Sequence, residues 1–177
     1  EADLVIKNAR VLDVFTGTDY EGDVAIAQGY IAGIGDYRGK REVDAKGQFL
    51  APGFIDAHLH LESTMVSPHE LITTANVFLM LPSCVPATEI DDNGADFTAE
   101  EMKEYLNHPR ILGLGEVMDD YSVIHRKKSM MDKLRLFSHH ILDGHAPFLP
   151  KEDLQAYALA GIQTDHEAID FNYALQQ

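Results

Sequence analysis

The pair Pro52-Gly53 separates two rhythms of apolar residues, and that change constrains the fold more than any other feature of the chain. Before it, short β-prone runs alternate with glycine turns: Leu4-Val5-Ile6, Val11-Leu12-Asp13-Val14, Val24-Ala25-Ile26 and Tyr30-Ile31-Ala32-Gly33-Ile34, broken at Thr16-Gly17, Glu21-Gly22-Asp23, Gln28-Gly29 and Gly35-Asp36. This spacing predicts an antiparallel β-meander in a small domain over residues 1–51. After it, strand-like runs at 53–57, 77–81, 110–115, 141–142 and 161–164 alternate with helix-like stretches at 68–75, 98–107, 129–137 and 151–160. Thr98-Ala99-Glu100-Glu101 is a capping box, which marks the clearest helix start. Strands alternating with helices imply parallel βαβ units, so residues 52–177 are expected to be α/β.

Charge narrows the ligand class. Lys and Arg number 14 against 29 Asp and Glu, a net of -15, which disfavours phosphate backbones and anionic lipid surfaces. A small molecule or a protein is the expected partner, with neither nucleic acid nor membrane. Cys84 is the single cysteine, which excludes an internal disulfide and a cysteine-rich zinc site and fits a reducing, cytoplasmic compartment. The chain opens Glu1-Ala2-Asp3, without an initiator methionine or a signal-peptide pattern, so residues further upstream are expected.

The polar residues at the ends of the later strands carry the chemistry. Phe54-Ile55-Asp56-Ala57-His58-Leu59-His60 runs an apolar strand pattern into two histidines spaced two apart, and side chains at i and i+2 of a strand share a face. Both imidazoles can then reach one metal ion. Leu112-Gly113-Leu114-Gly115-Glu116 ends on a carboxylate; Leu142-Asp143-Gly144-His145 and Thr164-Asp165-His166 each end on an imidazole. Singly, each of these is an ordinary loop residue. Together they match a fold in which the C-terminal ends of parallel strands converge on one mouth, and five such donors suffice for two divalent metals with Glu116 between them. His69, His108, His125, His139 and His140 lie on or beside helices and read as surface or packing residues. Glu62 and Ser63 follow the histidine pair and are candidates to face the mouth. Cys84, in Leu81-Pro82-Ser83-Cys84-Val85-Pro86, is either a small core residue or part of a substrate pocket.

The β-domain leading into Ala51-Pro52-Gly53-Phe54-Ile55-Asp56-Ala57-His58-Leu59-His60 resembles the amidohydrolase superfamily. More narrowly, residues 54–63, Met80-Leu81-Pro82-Ser83-Cys84-Val85-Pro86-Ala87-Thr88, Leu112 to Met118, Asp143-Gly144-His145-Ala146-Pro147 and Thr164-Asp165-His166-Glu167 are similar to the bacterial and archaeal adenine deaminases of that superfamily. The resemblance implies a partial (β/α)8 barrel with a small N-terminal β-sandwich domain, two divalent metal ions (manganese, iron or zinc) and a small-molecule purine substrate. It implies that His58 and His60 bind the first metal, that Glu116 bridges and is catalytic where many relatives use a carbamylated lysine, and that His145 and His166 complete the second site; Glu62, Ser63 and Cys84 stay candidate substrate contacts by position. The implied reaction is hydrolysis of adenine to hypoxanthine and ammonia. Alternatives are another amidohydrolase acting on a cyclic amide or aminated heterocycle, and a catalytically inactive truncated relative.

Spacing departs from the family pattern at one place. A strand and helix unit of such a barrel takes roughly 30 residues. Glu116 to His145 is 29 and His145 to His166 is 21, each one step, but His60 to Glu116 is 56 where the resemblance implies three steps. About one unit is short, before the strand at 77–81. The chain also stops short of a seventh and an eighth strand and of the family's catalytic aspartate. It is expected to be the retained part of a longer enzyme, a truncated chain completed by a partner, or an inactive relative. An incomplete barrel leaves strand edges open and favours a homo-oligomer.

Overall fold

The computed structural model describes residues 1–74 and 77–176. They form two compact units, Glu1–His58 and Leu59–Gln177.

In the first unit, β1 (Ala2–Asp13), β2 (Thr18–Ala27) and β3 (Tyr30–Ile34) form the expected antiparallel run. The turn joining β2 to β3 holds Gln28 and Gly29 at φ 52° and 81°, the left-handed pair that a two-residue turn of matching twist requires. The meander stops there. β4 (Gly39–Asp44) and β5 (Phe49–Leu50) return to the other side of β1 and pair with it in parallel, in the registers Ala2↔Gly39 and Arg10↔Phe49. The physical reason lies in β1 itself: a twelve-residue strand with β2 on one edge leaves a full row of N–H and C=O groups on the other, and parallel strands satisfy them as well as antiparallel ones. The unit is one mixed sheet with two small apolar clusters, Ala2, Val5 and Ala25, and Ala9, Val11 and Val24.

The second unit is α/β with a parallel sheet. Its strands β6 (Leu79–Pro82), β7 (Ile111–Val117), β8 (Ile141–Gly144) and β9 (Thr164–Asp165) lie side by side in chain order. Between them run α2 (Ala99–Met102), α3 (Asp120–Ile124), α4 (Lys128–Leu136) and α5 (Lys151–Leu159), with α1 (Pro68–Thr74) before β6 and α6 (Phe171–Ala174) after β9. The predicted end of α1 at Ala75 lies outside the described residues. Leu81, Leu114 and Leu142 of successive strands pack with Met102, Phe137 and Tyr157 from the helices in one core.

Two sequence expectations are corrected. Residues 53–57 form no strand, and Phe54 and Ile55 are fully exposed, at 105% and 90%. A strand exists by pairing, and among the described residues no strand pairs with 53–57. The helix at 98–107 is α-helical only through Met102. Glu101 takes the Thr98 N–H at 2.6 Å, which also lowers the Glu101 pKa, so the start is capped as expected. From Lys103 onward the bonds tighten to the three-residue pattern, Lys103 N–H to Glu100 O and Tyr105 N–H to Met102 O, before Pro109.

Candidate metal centre

Glu116 sits one residue from the end of β7, 9% exposed, in a strand whose other side chains are almost all buried. Three imidazoles from three other segments converge on its carboxylate. His145, immediately after β8, places Nδ1 against Glu116 Oε1. His166, immediately after β9, brings Nε2 to the same oxygen at 3.0 Å. His60 brings Nε2 to within 3.4 Å of the other oxygen, Oε2. Glu167 Oε1 stands 3.6 Å from both His145 Nδ1 and His166 Nε2. One donor atom from each of Glu116, His145, His166 and Glu167 lies within 4.8 Å of the others.

The supports are built from the strand ends. Tyr157 of α5 is almost fully buried; its hydroxyl accepts the His145 N–H at 2.9 Å and donates to Val117 O, fastening the end of β7 to the residue after β8. Burial holds that phenol far above its ordinary pKa, so it remains a donor. Gly144 makes this possible, because a Cβ there would stand 2.9 Å from the Tyr157 hydroxyl. Asp165 accepts the Ala146 N–H at 2.8 Å, and Asp143 Oδ2 lies 3.8 Å from His166 Nδ1. On the β6 side, the Ser83 N–H bonds Gly115 O at 2.7 Å, its hydroxyl bonds Glu116 O, and buried Lys133 donates to Ser83 O at 2.7 Å. Burial lowers the Lys133 pKa, opposed by the charges around it.

A second group adjoins the first. His60 Nδ1 lies 2.5 Å from Glu62 Oε1, and the Cys84 thiol donates to the same oxygen at 3.7 Å. Burial and then the Glu62 charge push the Cys84 pKa up to about 12, so the sulfur stays protonated at neutral pH.

A cation suits this arrangement. His145 Nδ1 is buried and makes no hydrogen bond, although a carboxylate oxygen stands against it. A buried carboxylate ringed by imidazole nitrogens needs compensating positive charge, and imidazole with carboxylate donors suits zinc, iron or manganese.

Of the residues expected from sequence, the second unit brings together His60, Glu116, His145 and His166, with Glu62 and Cys84 beside His60. His58, last residue of the first unit, is exposed, with its N–H on Asp56 Oδ1 at 3.2 Å. Ser63 is exposed in a short 3-10 turn, Leu61–Thr64, its N–H on His60 O. Sequence reasoning missed Glu167 and Asp143, although each stands next to or near a histidine it had singled out. The signal was the polar run at each strand end, Leu142-Asp143-Gly144-His145 and Thr164-Asp165-His166-Glu167. His69, His108, His125, His139 and His140 join none of these groups among the described residues.

No family model matches the chain. The solved L-hydantoinase (dihydropyrimidinase) of Arthrobacter aurescens aligns with 94% of it and 41% of its own length at a TM-score of 0.39 and 15% identity, too low to bear on the fold. Curated relatives are much more similar: the adenine deaminase of Desulfitobacterium hafniense at 49% identity across all of this chain, adenine deaminase 2 of Carboxydothermus hydrogenoformans at 42% across 94% of it, and the adenine deaminase of Petrotoga mobilis at 42% across all of it. The chain spans 35–37% of the length of these relatives. The first alignment extends over 213 positions against 177 residues here, so the relative carries a few dozen residues within the matched region that this chain lacks. With identity of this order along its whole length, the chain is a homologue of the adenine deaminases.

Proposed function

We propose that this chain carries the metal-binding part of a hydrolase that deaminates adenine to hypoxanthine and ammonia. The observation that supports this most is the convergence of His60, His145 and His166 on one buried carboxylate, Glu116. In this reading His58 and His60 hold the first of two divalent ions, Glu116 lies between them, and His145 and His166 hold the second, with Glu167 alongside. The inclusion of His58 rests on its spacing from His60. The four-stranded parallel sheet then belongs to residues 52–177 as part of an incomplete (β/α)8 barrel, and the sheet of residues 1–51 is one part of a β-sandwich.

Bound there, divalent ions would supply a nucleophile at neutral pH by lowering the pKa of water. The residues of the chain do the rest. His60, His145 and His166 present imidazole nitrogens, Glu116 presents two oxygens toward different histidines, and Tyr157 fixes the spacing between the strand ends that carry Glu116 and His145. The water oxygen bonds to the ring carbon bearing the amino group, the carbon–nitrogen bond breaks, and the two water protons end on ammonia and on the ring. Glu116 is the residue assigned the catalytic role.

The reading extends to a small-molecule purine substrate, a homo-oligomeric assembly and a cytoplasmic location, with neither nucleic acid nor membrane as partner. The net charge of -15 supports the exclusion of nucleic acid. No helix among the described residues is long and apolar enough to cross a membrane.

The test has two arms. The purified chain, stripped with chelator and titrated with manganese or zinc, is expected to take up two equivalents. Incubated with manganese or iron, a version carrying the segments that its relatives have in addition is expected to release ammonia from adenine and to leave the rings of cyclic amides unopened. Absence of metal uptake would remove the centre; ammonia from another aminated heterocycle alone would reassign the substrate.

A further inference from the structure

The contacts of Glu62 separate two roles for it, one toward substrate and one toward its neighbouring histidine. An imidazole has two nitrogens, and in its neutral form only one carries a proton; which one is set by the hydrogen bond the other atom makes. Glu62 Oε1 lies 2.5 Å from His60 Nδ1, within a turn that is partly buried. Where the carboxylate oxygen accepts this hydrogen bond, the proton sits on Nδ1. In the neutral ring Nε2 then keeps its lone pair, and it is Nε2 that faces Glu116 Oε2 at 3.4 Å.

The carboxylate is itself held. Cys84 donates its thiol proton to the same Glu62 oxygen at 3.7 Å, and Cys84 is buried. The residue before it, Ser83, is tied by three bonds to β7 and α4, through Gly115 O, Glu116 O and the Lys133 ammonium. A continuous run of contacts therefore leads from the loop after β6, through Cys84 and Glu62, to the far nitrogen of His60.

We propose that Glu62 is a positioning residue, which holds His60 in its Nδ1–H form so that Nε2 is presented to the centre at Glu116, with the Cys84 thiol as the second anchor of the carboxylate. In this arrangement Glu62 acts through His60 and makes no contact with substrate, in contrast to the substrate contact expected from sequence. The inference rests on the metal-site reading given above for its functional consequence, but its first observable does not require metal.

The experiment compares the chain with Glu62→Ala and Glu62→Gln. In the metal-free protein, at a pH alkaline enough for the imidazole to be neutral, nitrogen-15 histidine spectra are expected to show His60 protonated at Nδ1 in the parent and in Glu62→Gln, whose amide oxygen still accepts, and shifted toward Nε2–H in Glu62→Ala. In chelator competition with zinc or manganese, Glu62→Ala is expected to bind the same number of ions about 10- to 100-fold more weakly, as removal of such an orienting partner does, and Glu62→Gln to retain most of the affinity. An unchanged tautomer and unchanged affinity in Glu62→Ala would overturn the proposal, as would loss of a whole equivalent of metal, which would make Glu62 a ligand itself. A parent chain that takes up no metal would sink the functional reading, while the tautomer spectra would still decide the role of Glu62.

Discussion

The two sheets solve opposite problems. In the first unit almost everything rests on ladders: a twelve-residue β1 flanked by β2 and by β4 and β5, thin apolar clusters, and surface ion pairs such as Lys7 with Asp23 at 2.8 Å. In the second, the strands are short, down to two residues in β9, and a large core of strand and helix side chains carries them. The long ladders end in ordinary turns, whereas the short strands end in polar groups aimed at one another. A sheet held by its own backbone needs little from its side chains, while a sheet held by its core can spend its strand ends on chemistry.

If that contrast is right, substitutions should separate the units cleanly. Glu116→Gln is expected to have the largest effect: about 100-fold or greater loss of metal affinity at the centre, with no turnover in the complete enzyme, and unchanged hydrogen-exchange protection in residues 2–44. Normal metal content in that variant would remove Glu116 from the centre. Leu114→Ala, at a fully buried position of β7, should cost the second unit about 2–5 kcal/mol in denaturant unfolding. Equal loss of protection in the first unit would show that the two do not unfold separately.

Tyr157→Phe should be milder. It preserves the ring in the core but leaves the buried His145 N–H and Val117 carbonyl without their shared partner, about 1–3 kcal/mol, and metal binding should weaken alongside stability. Stability falling without any change in metal affinity would make the tyrosine a packing residue alone. Acid provides the smallest and most selective effect. The Lys7 ammonium, and then the Asn8 N–H, hold Asp23 below its ordinary pKa of 3.8. Its contribution is therefore present above that value and lost as pH falls through the lower, folded-state one. Protection in the first unit should decline over that range, and Asp23→Asn should abolish the pH-dependent part.

The same contrast explains what the sequence disclosed. The hairpins of the first unit are local, and Gln28-Gly29 announces its turn by residue type alone. The return of β4 and β5 to β1 depends on an unfilled edge thirty or more residues away, which no local pattern carries. In the second unit, His60, Glu116, His145 and His166 were legible because each follows an apolar run, and the fold does bring them together. The run at 53–57 misled for the converse reason: its composition suits a strand, but pairing needs a neighbour, and among the described residues no strand pairs with it. Glu167 and Asp143 escaped because acidic residues beside a histidine are common, and only the folded backbone shows which of them turn inward.

The order of the strands along the chain has a consequence for assembly. Because the donors at the ends of β7, β8 and β9 arrive from consecutive segments, the pocket is complete only when the last of them has docked, and an ion that binds there would act as a clasp on the finished unit. At a free ion concentration 100 times the dissociation constant, that clasp adds about 2.7 kcal/mol to the folded state. Thermal resistance in this half of the molecule thus becomes a readout of how much metal its surroundings supply.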